Sequence, residues 1–600
     1  MPNWWKMVLV KTDIPEDTLL VGVAASPGIA LGRTHVIDRQ RLSAIERRVA
    51  PGEVAGEVAA FMAAVESSKG QLNEVRETVS ARELAEHLYI IDTHLLILED
   101  RLLLDGVVKL IREDFLNAEG ALKRTLKKFR EVFDAIEDEY LRERRSDIDS
   151  VGERLLRNLK GYTQQPIAGI SDQVVVIAHD LSPADTMQMD KARVIGFATD
   201  LGGRTSHTAI LARSLGIPAV VGLETLTVRV PNGLSVIVDG YLGILILNPG
   251  ATTIADYRRK QLVQAARDEE LLGLCLFPGE TLDGVRVHLR GNVELTEELP
   301  LALRHGAEGV GLFRSEFLYL NRSAPPTEDE QLAAYRAVIE AMAPQPVTIR
   351  SLDLGGDKLA PEINISDELN PALGLRAVRF SLKERRLFKT QLRAIFRASA
   401  FGQTRLMLPM ISGVAELRAC RELCDEVRAE LAAEGVAHDS HLPIGIMIEI
   451  PSAALIADLL AREADFFSVG TNDLIQYFLA VDRGNEHVAY LYEPLHPAIL
   501  RALRLICRAA RAASIPVGMC GEMAADPLYT LVLLGLGFDE LSMNPPSIPR
   551  VKEVLRQVCR SEGEELLEQL LALSTASEIN RCLEDEMTRR FPEQFRPPAP

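Results

Sequence analysis

The second half of the chain repeats one pattern: a short apolar run ends in polar residues and is followed by an amphipathic stretch of helical period. The apolar runs are "VRVHLRGN", "GVGLFRSE", "VTIRSLDLGGDK", "TRLMLPMI", "IGIMIEIPS", "FFSVGTND", "PVGMCGEM" and "DELSMN". Runs that short, bounded by turn signals, are buried strands, and strands alternating with helices pair in parallel. Eight such units predict a (β/α)8 barrel, whose chemistry gathers at the carboxyl ends of the strands. Arg314, Arg350, Asp353, Glu449, Asn472, Asp473 and Cys520 all follow an apolar strand core by one to three residues. Charges that merely solvate a surface would be scattered over the helices instead.

The first half is patterned differently. "LVGVAASPGIALGRTHVID" alternates apolar runs with Pro and Gly, as short strands joined by tight turns do. From about Val54 to Lys160 the period becomes helical: Leu122, Leu126, Phe129, Phe133, Ile136 and Tyr140, spaced by three and four, predict one helix face among three or four packed helices. Between "QVVVIAHDLSPADT" and "VIVDGYLGILILNPG" strand and helix signals alternate again. Neither flanking strand region alone offers enough strand for a sheet, so the helical block is expected to interrupt one α/β domain. Thr252 to Gly273 is charged and periodic and predicts a connecting helix, about 30 Å long for twenty residues.

Composition narrows the chemistry. Six hundred residues exceed the roughly 250 to 300 at which one core stops growing, so two or three domains are expected. A net charge of −18 has the wrong sign for a phosphate backbone, which argues against nucleic acid as a partner. Seven scattered cysteines fit no disulfide framework and point to a reducing, cytoplasmic setting. The apolar run in "MPNWWKMVLVKTD" is too short for a signal peptide, and no stretch of about 18 apolar residues predicts membrane insertion.

Several arginines, Lys358, carboxylates and an amide converging on one barrel mouth describe a site for a small, highly anionic molecule with a divalent metal. The planar guanidinium fork matches carboxylate and phosphate, which suits Arg314, Arg350 and Arg483 to clamping, with Arg376 a further candidate. Mg2+ prefers oxygen and keeps substrate oxygens in its shell, so Glu449 and Asp473 suffice as protein ligands. Manganese fits the same pair. Cys420 and Cys424, at i and i+4 without nearby histidines, read as packing.

One further motif lies in the first half. In "GGRTSHTAILARS", Gly202 and Gly203 allow close backbone approach to a phosphate, and Thr205 or Ser206 can cap the helix that follows. A neutral imidazole is a competent nucleophile near neutral pH, so His207 in that setting can carry a phosphoryl group covalently.

The sequence as a whole resembles enzyme I of the bacterial phosphotransferase system, from "ASPGIALG" to about "MNPPSIPR". The resemblance rests on "GGRTSHTAILARSLGIPAVVG", "EGVGLFRSEFLYL", "LDLGGDK", "NPALGLRAVR", "DFFSVGTNDLIQYFLAVDRGN" and "GMCGEMA". It implies a phosphohistidine swivelling α/β domain (20–50 and 161–250) with an inserted helical bundle (51–160) that binds the carrier protein HPr. A linker helix (251–275) and a TIM barrel that binds phosphoenolpyruvate (276–590) would follow. It implies that His207 is phosphorylated through Nε2, that Arg314, Arg350, Asn472, Asp473 and Arg483 bind phosphoenolpyruvate, and that Glu449 and Asp473 bind magnesium. Cys520 would protonate the enolate carbon to give pyruvate, a role that an unperturbed thiol pKa of about 8.5 would suit. The phosphoryl group would then pass to a histidine of HPr, as the first step of sugar uptake, in a homodimer formed through the barrel. His87 and His94 share a helix face in the docking domain, where burial is the simpler reading for both and the resemblance offers partner contact as the alternative for His94. The ATP-dependent relatives, pyruvate phosphate dikinase and phosphoenolpyruvate synthase, need a further nucleotide-binding domain, and residues 1 to 170 show no Gly-rich nucleotide loop.

Overall fold

A computed structural model of the chain describes residues 14–37, 46–80, 88–134, 139–161, 173–181, 189, 193–203, 209, 212, 216–319, 324–354, 370–482 and 488–595. Three strands open it: β1 (Thr18–Val21), β2 (Val23–Ser26) and β3 (Ile29–Ile37). Five helices follow: α1 (Val54–Ser80), α2 (Leu88–Glu99), α3 (Arg101–Glu113), α4 (Ala118–Asp134) and α5 (Glu139–Leu159). Then come β4 (Val174–Ala178), β5 (Val194–Thr199), β6 (Ala219–Val221), β7 (Ser235–Asp239) and β8 (Ile244–Leu247).

The eight strands make one sheet in the order β1-β8-β7-β3-β4-β5-β6-β2. Its centre is β3, antiparallel to β7 and parallel to β4 across the whole helical segment. β1 and β2, adjacent in sequence, pair with β8 and β6 at opposite edges. The turn-rich opening segment therefore supplies both edges and a central strand of a sheet completed more than 200 residues later. β4, "VVVIA", is buried at every position, as expected of a strand covered on both faces. Val174 and Val176 join the core shared with Phe61, Leu72, Val107 and Leu155 of the helices. Val175 and Ile177 join a separate core on the other face.

The helical segment departs from the sequence-based expectation in two ways. It holds five helices among the described residues, not three or four, because Asp100 caps α3 by accepting from Leu102 N at 2.7 Å and so divides one apolar run. The predicted face from Leu122 to Tyr140 is also interrupted: α4 stops at Asp134, Tyr140 belongs to α5, and Ile136 lies outside the described residues. A polar clasp joins α1 to α5, in which Asn158 Nδ2 donates to Ser68 Oγ at 2.7 Å and Gln71 Nε2 donates to Asn158 Oδ1 at 2.9 Å.

The predicted connecting helix is present as α6 (Ala251–Gly273). The chain divides into units Met1–Ala266 and Arg267–Pro600. In the second, the eight predicted strands are all found: β9 (His288–Val293), β10 (Val310–Arg314), β11 (Val347–Arg350), β12 (Thr404–Leu408), β13 (Ile444–Ile448), β14 (Phe467–Val469), β15 (Val517–Met519) and β16 (Glu540–Met543). They form a closed parallel barrel, sealed where β16 pairs with β9. Inside it, Glu540 is held by Arg290 at 2.7 Å and Arg405 at 2.8 Å. Burial disfavours the Glu540 carboxylate, but the two guanidinium groups outweigh it and keep the group ionised. Cys420 and Cys424 are buried in the helix Val414–Ala433, as packing residues would be.

Candidate active site

Arg314 ends β10 and Arg350 ends β11; Glu449 follows β13 by one residue, and Cys520 follows β15 by one. Asn472 and Asp473 begin the helix α7 (Thr471–Leu479), immediately after β14. Strand ends of a closed parallel barrel face one mouth, and these six side chains line a single cavity of about 510 Å³. Two glycines make room there. A Cβ on Gly470 would lie 2.8 Å from Glu449 Oε2, and one on Gly521 would lie 1.9 Å from Thr471 Oγ1.

The arginines described at this mouth are each held by a carboxylate. Arg314 pairs with Glu294, and Arg350 pairs through Nη2 with Glu316 and through Nη1 with Asp353 at 2.8 Å. Arg376 Nη2 reaches Asp353 at 2.9 Å and Asp473 at 3.4 Å. Burial alone would favour neutral guanidines, yet the surrounding carboxylates hold both Arg350 and Arg376 above their ordinary pKa. Glu449 is 2% exposed and accepts from Met410 N at 2.6 Å. Burial, reinforced by the charges of Asp353 and Asp473, puts its pKa well above the carboxylate range. Asn472 exchanges hydrogen bonds with Glu522: its Nδ2 donates to Oε1 at 3.1 Å, and its Oδ1 accepts from Glu522 N at 2.9 Å.

Cys520 is 4% exposed, packed against Leu312, Met407, Met447 and Phe466. Burial pushes its thiol up to about 11, while a hydrogen bond with Ser468 and the charge of Arg350 act in the other direction. This corrects the expectation of a pKa near working pH: the pocket that receives the thiol also removes the water that would stabilise a thiolate. Its backbone is fixed by Asn292, which donates to Cys520 O at 3.1 Å and accepts from Ser542 Oγ at 2.6 Å.

Sequence reasoning passed over Glu316, Asn292, Ser542 and Tyr477. Glu316 had a signal, an acid two residues past a strand-end arginine; the others contribute through partners far away in sequence. His207, Arg483, Lys358 and His87 lie outside the described residues. At the carboxyl ends of β4 and β5, just before the glycine pair, His179 Nδ1 sits 3.0 Å from Asp200 Oδ2, and Thr227 N donates to Asp200 Oδ1 at 3.2 Å. His94 is 1% exposed, which supports the burial reading over partner contact. Among the described residues no helix is long and apolar enough to cross a membrane.

Comparison with known proteins gives the family. Residues 21–144 match the PEP-utilising enzyme N-terminal family, 170–243 the PEP-utilising enzyme mobile domain, and 271–560 the PEP-utilising enzyme PEP-binding domain. The phosphoenolpyruvate-protein phosphotransferase of Bacillus sp. (strain S) is 45% identical over 93% of this chain and 96% of its own. The proteins of the same name from Bacillus subtilis (strain 168) and Haemophilus influenzae are 42% and 39% identical, over 93% and 94% of this chain and 98% and 99% of theirs. The chain belongs to the phosphoenolpyruvate-protein phosphotransferase family. For a phosphotransferase of this family, the PEP-binding match covers all the strands of the barrel, and the mobile-domain match covers the "GGRTSH" stretch.

Proposed function

We propose that this phosphotransferase moves the phosphoryl group of phosphoenolpyruvate onto its own His207 and then onto a histidine of the phosphocarrier protein HPr, releasing pyruvate as the first step of sugar uptake. The observation that carries this reading is the barrel mouth, where three arginines, an amide, two candidate metal carboxylates and a buried thiol share one cavity. Phosphoryl transfer asks the protein chiefly to position groups and neutralise charge. Arg314, Arg350 and Arg483 grip the phosphate and carboxylate of the substrate, and Asn472 orients it. Glu449 and Asp473 would hold Mg2+; the carboxylates of Glu449, Asp353 and Asp473 act on one another at this mouth, the set of oxygen donors that a divalent cation fits. The metal, when bound, supplies positive charge to the phosphate oxygens.

The P–O bond of phosphoenolpyruvate breaks as a P–N bond forms to Nε2 of His207, leaving its electron pair on the enolate oxygen. Cys520 then gives its proton to the terminal carbon, and the thiolate recovers one from water. A thiol held protonated to about pH 11 is poised as an acid. HPr is expected to dock on the α1–α5 segment, the barrel to form a homodimer, and the enzyme to work in the cytoplasm. One histidine serving substrate and carrier in turn requires its domain to move, with α6 as the connection that permits it.

Incubation with radiolabelled phosphoenolpyruvate and Mg2+, followed by mapping of the acid-labile label, tests the assignment. The label is expected on His207 alone. Label on His179, His94 or a serine overturns it.

A further inference from the structure

The arginines of the barrel mouth are bound to carboxylates of the protein itself, but not to equivalent ones. Arg314 is held by Glu294, and Arg350 by Glu316 and Asp353. Among the described residues, Arg376 alone forms an ion pair with a carboxylate proposed as a metal ligand: its Nη2 lies 3.4 Å from Asp473 Oδ2. The same nitrogen also lies 2.9 Å from Asp353 Oδ1, and Arg376 Nη1 is 3.4 Å from Tyr477 Oη. The side chains of Arg376 and Asp473 are only 19% and 17% exposed, so water and salt screen the pair weakly.

A guanidinium and a divalent cation at the same carboxylate compete, because each removes the negative charge that attracts the other. We infer that Arg376 is a gate on the metal site, withholding Asp473 from the cation until an anionic substrate draws the guanidinium away. Asp353 makes the exchange possible, since it keeps a hold on Arg376 when Asp473 is released. Whatever loosens Arg376 favours the metal, and by thermodynamic reciprocity the bound metal favours the anion that takes Arg376. Arg376 thus couples metal and substrate binding. The inference rests on the reading of Glu449 and Asp473 as metal ligands given above.

The test is binding of Mn2+ alone, followed through the paramagnetic resonance signal of the free ion, with no phosphoenolpyruvate present. Arg376→Met should bind Mn2+ roughly tenfold more tightly than the wild type, equivalent to about 1.4 kcal/mol. Arg376→Gln, which keeps more of the side chain's polarity, should do the same and covers the case in which the methionine variant fails to fold. Arg314→Met removes the same charge from the same cavity without touching Asp473, and should change the affinity less than about threefold. Equal tightening in the Arg314 and Arg376 variants means a general field effect and overturns the gate, as does unchanged affinity in both Arg376 variants. Asp473→Asn separates the two readings. If it binds Mn2+ as the wild type does, the metal assignment itself fails; if it weakens binding while the Arg376 variants match wild type, only the gate fails.

Discussion

At the barrel mouth Arg314, Arg350, Glu449, Asn472 and Cys520 come from five different strand ends and meet in one cavity, each fixed by another residue. At the carboxyl edge of the α/β sheet, among the described residues, Asp200 is 2% exposed and holds both His179 and Thr227. The glycine pair that leads to His207 begins two residues later. The barrel distributes its polar groups over a network, whereas the sheet edge, among the described residues, gathers them on Asp200. A network loses function by degrees, but the single nucleophile proposed for the sheet, His207, would lose it at once.

The largest expected effect therefore belongs to the sheet. His207→Ala should abolish both labelling by phosphoenolpyruvate and transfer to HPr, measured with radiolabel on separated proteins; residual transfer would mean a second acceptor. Next come the barrel carboxylates. Glu449→Gln should lower phosphorylation by phosphoenolpyruvate roughly 10²- to 10³-fold, the range seen when one electrostatic contact to the transition state is lost. Phosphorylation of His207 from the carrier should persist in that variant. Loss of both half-reactions would collapse the distinction between the two regions.

A step smaller is Cys520→Ala. Removing a general acid typically costs about 10²-fold or more, and here the loss should fall on pyruvate formation while the carrier still labels His207. In wild type the proton-donating form persists through neutral pH and is lost only as the pH approaches about 11, so the limb of the rate profile due to Cys520 should be flat until then. Exchange of the methyl protons of pyruvate with deuterated solvent, catalysed by the phosphorylated wild type, should vanish in the alanine variant. Exchange at the wild-type rate would leave the thiol as packing. The smallest effects are structural: Ile177→Val in the sheet and Ile446→Val in the barrel, both fully buried, should each cost about 0.5–1.5 kcal/mol by denaturant titration and leave both half-reactions in place.

The barrel was legible in the sequence because each of its strands is a short apolar run closed by a polar residue, so the periodicity that marks the strand also marks the site. That is why Arg350, Glu449 and Cys520 could be named from position alone. Glu316 and Asn292 were harder, since their importance comes from Arg350 and from the backbone of Cys520, contacts that only the closed barrel creates. The Cys520 acidity was misjudged for the same reason: burial is a property of the surroundings and leaves no mark on the residue itself. In the helical segment the three-and-four spacing was read as one helix face, although Leu122 and Tyr140 belong to two different helices, α4 and α5, a division that apolar periodicity alone does not report. For His94 the sequence left burial and partner contact open, and the structure gives burial.

The pairing of β3 with β4 and of β1 with β8 bears on how the protein is made. Partners separated by well over a hundred residues give the sheet a high contact order, and such sheets assemble slowly. During synthesis the first three strands leave the ribosome with no mate available, while the α1–α5 segment can form local contacts as it emerges. Until Leu247 has been translated, β1 lacks the strand it pairs with in the finished sheet, so the nascent chain carries an unpaired strand edge for more than 200 residues of synthesis.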